Sequence, residues 1–139
     1  MKPVAALLLA LAPLATAPLA AQGSVKWETS LQAAMKRAKA EHKLILMDLW
    51  TEWCPPCRYL EEKVYPSPEA QAALRRVVPF SALVEKKDRT PVPEGTKLAG
   101  EFHLEAFPTL VILDANGKEV RRQVGAFRSG ADFAAWLAK

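Results

Sequence analysis

The apolar run Leu44-Ile45-Leu46-Met47-Asp48-Leu49-Trp50 is followed, after three residues, by Cys54-Pro55-Pro56-Cys57. A run with one charge in seven positions suits a strand buried on both faces, and such a strand belongs in the centre of a sheet. Two consecutive prolines do not continue a strand, but they suit the first turn of a helix, where their φ is already correct and an amide hydrogen is not needed. The chain is therefore committed to a central strand that delivers two cysteines to the start of a helix.

These are the only two cysteines. A bridge between them closes so short a loop that it restricts the unfolded chain very little, so stability is a poor reason for it. Chemistry is a better one. With Cys54 as N-cap, Pro55 and Pro56 occupy the first two helical positions and Cys57 the third. The positive end of the helix dipole then favours a thiolate, which is the nucleophilic form. Since neither proline has an amide hydrogen, the Cys57 amide is the first backbone donor, supported by the dipole and Arg58. The spacing predicts a moderately activated thiol. Cys54 attacks a substrate disulfide and Cys57 resolves the mixed disulfide; the same steps in reverse oxidise a dithiol.

Other uses of the pair fit less well. A c-type haem site needs His directly after the second cysteine, and position 58 is Arg. A zinc site needs about four ligands, and His42 and His103 have no evident pairing with the cysteines. No metal and no cofactor are expected, and both histidines read as surface or helix-end residues.

Length bounds the rest: 139 residues, half of them hydrophobic, make one domain with a single core. Residues 1–21 differ from the remainder, with Lys2 as their only charge and Val4–Ala21 built, after Val4 itself, of Ala, Leu, Pro and one Thr. This is the composition of a signal peptide, with a cut expected near Ala21 and Gln22. An uncleaved membrane anchor is the competing expectation; Pro13, Pro18 and the small-residue end favour cleavage. The domain is then 22–139. Its mild basic excess is scattered as Lys36-Arg37, Arg75-Arg76, Lys86-Lys87 and Arg121-Arg122, each near acids. That argues for solvated faces and against a nucleic-acid partner.

Along the chain, Leu31, Ala34, Met35 and Ala38 recur at helical spacing after a cap at Thr29 or Ser30. A helix over Arg58–Val64 is broken by Pro66 and Pro68 before another over Glu69–Arg76, and Val77–Glu85 is a second strand. Lys86–Gly95 has loop chemistry, with an ordinary connection expected and partner docking as the alternative. A short helix over Thr96–His103 follows. Thr109–Leu113 and Lys118–Val124 flank Asn116-Gly117 as a hairpin, and a last helix covers about Ser129–Ala138. The fold class is α/β, a mixed sheet with helices on both faces.

From about Trp27 to Lys139 the chain resembles thioredoxins, and more closely the thioredoxin-like domain that ends bacterial transmembrane disulfide reductases. The resemblance rests on Asp48–Cys57, on Phe107-Pro108-Thr109, on the Asn116-Gly117 hairpin and on Val124-Gly125-Ala126, in the same order. It implies a thioredoxin fold in which Pro108 is a cis-proline beside the cysteines and the Phe107 backbone pairs with an extended substrate. Read from the residues alone, Phe-Pro-Thr says only turn or strand edge. The resemblance further implies that Asp48 manages the proton of Cys57, against the structural alternative of a hydrogen-bonded strand-end Asp. Trp53, Pro55 and Pro56 would contact substrate, with packing as the other use of Trp53, and Gly125 would allow close backbone approach.

Two departures from the thioredoxin pattern stand out. Thioredoxin pairs its buried acid with a lysine on the neighbouring strand, where the expected register here places Ala82 or Leu83, leaving the proton to Asp48, Glu85 or water. Pro55-Pro56 also replaces Gly-Pro, so thioredoxin's potential does not transfer. The expected activity is that of a protein thiol:disulfide oxidoreductase, exported to the periplasm or anchored facing it. It would be a monomer that reduces disulfides in other exported proteins with electrons from a membrane donor. Oxidation or isomerisation is the rival of the same class. A redox-silent binding or chaperone module is the rival from another class, and it would have lost a cysteine or the Pro108 element.

Overall fold

The computed structural model describes residues 24–139, so the leader assigned to residues 1–21 lies outside the described residues. Helix α1 spans Leu31–Glu41 and starts where the sequence places it: the Ser30 side chain accepts from the Ala33 amide, the usual role of an N-cap serine. A second fixture comes from far away, since Glu94 Oε1 accepts from the Leu31 amide at 2.9 Å. His42 ends α1 in a left-handed conformation, and His103 adopts one just beyond a later helix, so both are helix-end residues.

Strand β1, Ile45–Thr51, is the centre of the molecule. It pairs in parallel with β2, Val78–Glu85, and antiparallel with β3, Thr109–Leu113. Strand β4, Glu119–Val124, returns antiparallel beside β3, which gives the order β2-β1-β3-β4. The segment before α1 runs along the free side of β2 and bridges it at Glu28, so that edge is partly covered. On the opposite edge, β4 carries Arg121 and Arg122, and charge of this kind discourages pairing with another chain.

Side chains leave β1 alternately, as a strand requires. Ile45, Met47 and Leu49 pack with Ala34 and Ala38 of α1, with Phe80, Ala82 and Val84 of β2, and with Leu98. Leu46 goes the other way, against Leu60, Val64, Tyr65, Ala70, Leu74 and Phe133. Helices therefore cover both faces of a mixed sheet, as predicted.

Three helices depart from the sequence expectation, and each departure involves where a helix begins or how it turns. Helix α2 is Pro55–Tyr59, and it runs on into a π-helical turn at Leu60–Val64, closed by the Tyr65 amide donating to the Leu60 carbonyl. Helix α3 is Pro68–Leu74, capped by Ser67, so Pro68 opens it instead of separating it from its neighbour. Helix α4 is Pro93–Glu101, earlier than the predicted Thr96–His103, and the predicted Lys86–Gly95 loop is correspondingly shorter. In both cases proline supplies the φ of a first helical residue. Gly95 has a further use in α4, because a β-carbon there would lie 1.8 Å from the Leu83 carbonyl oxygen. Only glycine lets this helix sit so close to β2. Helix α5, Gly130–Leu137, starts from a Ser129 cap and buries Phe133.

Candidate functional site

Strand β1 ends at Thr51, and three residues later the chain turns into α2 with Cys54 as its N-cap. Pro55 and Pro56 are exposed in the first turn and Cys57 is buried. The Cys57 amide donates to Cys54 Sγ at 3.2 Å, so the first amide after the prolines is aimed at the first sulfur. The two cysteines form a disulfide, with their α-carbons 5.3 Å apart.

Trp53 is held from three directions. Its indole Nε1 donates to Glu85 Oε2 at 2.8 Å, the Phe107 ring meets it edge-on at 5.9 Å, and the Arg89 guanidinium lies over it at 3.7 Å. The loop after β2 is tied to the same corner, for Glu52 Oε2 accepts from the Lys87 amide. The Phe107–Pro108 peptide is cis. Pro108 is buried, and its carbonyl accepts from the Gly125 amide at 2.8 Å. Gly125 has φ of +87°, where a side chain would be strained. Trp53, Phe107, Pro108 and Gly125 are thus linked in series from three separate stretches of sequence, starting at the residue before Cys54.

Behind Cys57 lies a different environment. A pocket of about 640 Å³ is lined by Trp27, Asp48, Trp50, Cys57, Glu61, Tyr65, Pro66, Gln71 and Ser81. Asp48 is only 7 % exposed. Its Oδ2 accepts from the Tyr65 hydroxyl at 2.7 Å, while Oδ1 is buried with no hydrogen-bond partner among the described residues. Burial pushes the Asp48 carboxyl up to about 7; the Tyr65 hydrogen bond pulls against this, and nearby Glu61 adds to it. A carboxyl in that range exchanges protons near neutral pH, as an acid–base group must.

Two expectations about this region are corrected. The residue paired with Asp48 on β2 is Ser81, not Ala82 or Leu83, because the strands align Leu49 with Ala82 and Trp50 with Leu83. Ser81 Oγ is engaged by the Trp50 indole at 2.8 Å. Glu85 does not share the Asp48 pocket and instead holds Trp53. Sequence reasoning missed Tyr65 and Glu61. Glu61 follows Cys57 by four residues, a helical spacing that had been available as a signal. Tyr65 carried no such signal, since its place depends on the π turn.

The fold and the site together define a thioredoxin-like protein with a dithiol centre. The thioredoxin-like domain family matches residues 31–139, and the chain belongs to that family. Its Cys-x-x-Cys pair is closed as a disulfide within that domain.

Over 101 residues, 72 % of this chain, it is 30 % identical to the thiol:disulfide interchange protein DsbD of Klebsiella pneumoniae, of which that stretch is 16 %. The chain thus spans about one-sixth of the length of such curated relatives. Among solved structures, a thioredoxin from Thermus thermophilus superposes with a TM-score of 0.69 at 28 % identity, covering 84 % of this chain and 86 % of that one. The DsbH oxidoreductase reaches 0.72 at 23 % identity with 92 % of each chain covered, a likeness of fold. Among the described residues, no helix is long and apolar enough to cross a membrane.

Proposed function

We propose that this protein is an exported oxidoreductase that reduces disulfides in other exported proteins and is recharged by a membrane electron donor. The observation that carries the reading is the asymmetry of the two cysteines. Cys54 is the helix cap and receives the one amide that the prolines leave available, whereas Cys57 lines the pocket that holds Asp48.

In the reduced protein the Cys54 thiolate attacks a substrate disulfide. A mixed disulfide forms and the first substrate sulfur leaves as thiolate. Cys57 then gives its proton to Asp48 and attacks Cys54 Sγ; the second substrate thiolate leaves and the Cys54–Cys57 bond closes. Two electrons have passed to the substrate, and a donor dithiol returns them by the same steps in reverse. Trp53, Pro55, Pro56, Phe107, Pro108 and Gly125 form the surface that receives the substrate, with the Phe107 backbone pairing an extended chain. The leader over residues 1–21 supports export, and the interchange activity in the DsbD name supports a partnered role.

Equilibrating the purified protein with glutathione at fixed ratios tests the direction. A potential on the reducing side of the span from about −270 mV to about −120 mV covered by this class is the expected result, and one near about −120 mV, the range of strong oxidants, overturns it. In cells, Cys57→Ser accumulates mixed disulfides with exported proteins and Cys54→Ser does not. Equal trapping by both sinks the assigned order of attack.

A further inference from the structure

Among the described residues, Asp48 has no lysine opposite it on β2, and the only side chain that hydrogen-bonds it is Tyr65, through Oδ2. We propose that Tyr65 is a positioning residue for Asp48, fixing Oδ2 so that Oδ1 is the oxygen that exchanges a proton in the pocket shared with Cys57. Its functional meaning rests on the proposed role of Asp48 toward Cys57.

The helix that carries the resolving cysteine also places Tyr65. Cys57, Glu61 and Tyr65 stand four residues apart, and all three line the pocket with Asp48. In an α-helix, four residues turn through roughly 400°, so each step drifts about 40° beyond a full turn. Over two steps Tyr65 would swing well away from the column that Cys57 begins. The wider turn at Leu60–Val64, closed five residues apart, takes back part of that drift. Its effect is to return Tyr65 to the pocket.

Tyr65 is also held rigidly. Its ring packs on Trp27 at 5.0 Å and on Phe133 at 5.5 Å, and its carbonyl accepts from Gln71 Nε2 at 2.7 Å. A hydroxyl fixed in this way gives Asp48 a permanent donor instead of a mobile lysine cation. The groups facing Asp48 in the pocket are Cys57, Glu61 and Tyr65 from the helical segment, Ser81 from β2, Gln71 from α3 and Trp27 from the N-terminal segment. Of these, Glu61 is the only other carboxyl. The Tyr65 hydrogen bond favours the ionised carboxyl, opposing burial and Glu61.

The test is a carboxyl-carbon NMR titration of Asp48 in the oxidised protein, where the closed disulfide keeps both thiols silent. Tyr65→Phe keeps the ring and its packing but removes the donor, so the Asp48 midpoint rises by about one pH unit. Trp27→Phe trims the same pocket and the packing on the ring while keeping the donor, so its effect is to hydrate the carboxyl and not to raise the midpoint. The proposal is overturned if Tyr65→Phe titrates like the parent protein, or if Trp27→Phe raises the midpoint equally. In the reduced proteins, the pH profile of disulfide exchange moves in the same direction in Tyr65→Phe. A moved carboxyl midpoint with an unmoved exchange profile supports the Tyr65 assignment and overturns the role of Asp48 in proton transfer.

Discussion

Strand β1 shows two different faces to the protein. Toward α1 and α4 it presents Ile45, Met47 and Leu49, each fully buried among other apolar side chains. Toward the α2 side it presents Leu46 and then Asp48, with a pocket that Cys57 also lines and a carboxyl oxygen unpartnered among the described residues. Neighbouring residues of one strand thus serve opposite ends: one face is closed for stability, and the other gives up apolar packing to keep an ionisable group next to a thiol. Stability and chemistry are separated by the two-residue period of a strand.

The largest expected effect breaks that symmetry by pH. Asp48 has a folded midpoint of about 7 against an ordinary 3.8, so the folded chain holds this proton more tightly than the unfolded chain. Stability is then greatest below the ordinary value and falls as pH rises to about 7, by as much as about 4 kcal/mol. Glu41 and Glu119, held low chiefly by Lys43 and Arg122 respectively, act with the opposite sign but at pH values below their ordinary 4.5. Denaturant unfolding of oxidised protein between pH 4.5 and pH 8 should show the decline, and Asp48→Asn should flatten it. An unchanged slope in Asp48→Asn would make the two faces electrostatically alike.

Next in size, Leu49→Ala on the closed face costs about 3 kcal/mol through lost burial and a residual cavity. Because no ionisable group is removed, the loss is the same at every pH, in contrast to Asp48→Asn. Smaller again is Gly95→Ala, whose new β-carbon meets the β2 backbone at Leu83 and forces α4 outward, at about 2 kcal/mol. The same melts measure it, and disulfide exchange should be preserved, since α4 covers the face away from Asp48. Lost exchange in Gly95→Ala would show that the faces are coupled more closely than their packing suggests.

Much of this was legible in the residues. The apolar run before Cys54 named the central strand, and the prolines placed both cysteines in the first turn of α2, where they stand. The Ser30 cap, the β3–β4 hairpin and the terminal helix came from local rules of the same kind. Local rules failed where proline is ambiguous. Pro68 and Pro93 look the same in sequence whether they end one helix or begin another, and here they begin. They failed again where position depends on how two elements align. A shift of one residue in the β1–β2 register separates Ser81 from Ala82, and a single wide turn decides where Tyr65 points. The cis peptide at Phe107–Pro108 came from family resemblance, because nothing in three residues distinguishes it from the commoner trans form.

The clamp on Trp53 has a consequence for selectivity. Glu85, Arg89 and Phe107 reach it from places 32 to 54 residues along the chain, so the wall beside Cys54 exists only when β2, its following loop and the Pro108 turn are docked at once. A partial opening of any one of them leaves the dithiol intact but strips away its surroundings. On the proposed exchange activity, such an opening would cost selectivity between substrates before it cost exchange itself.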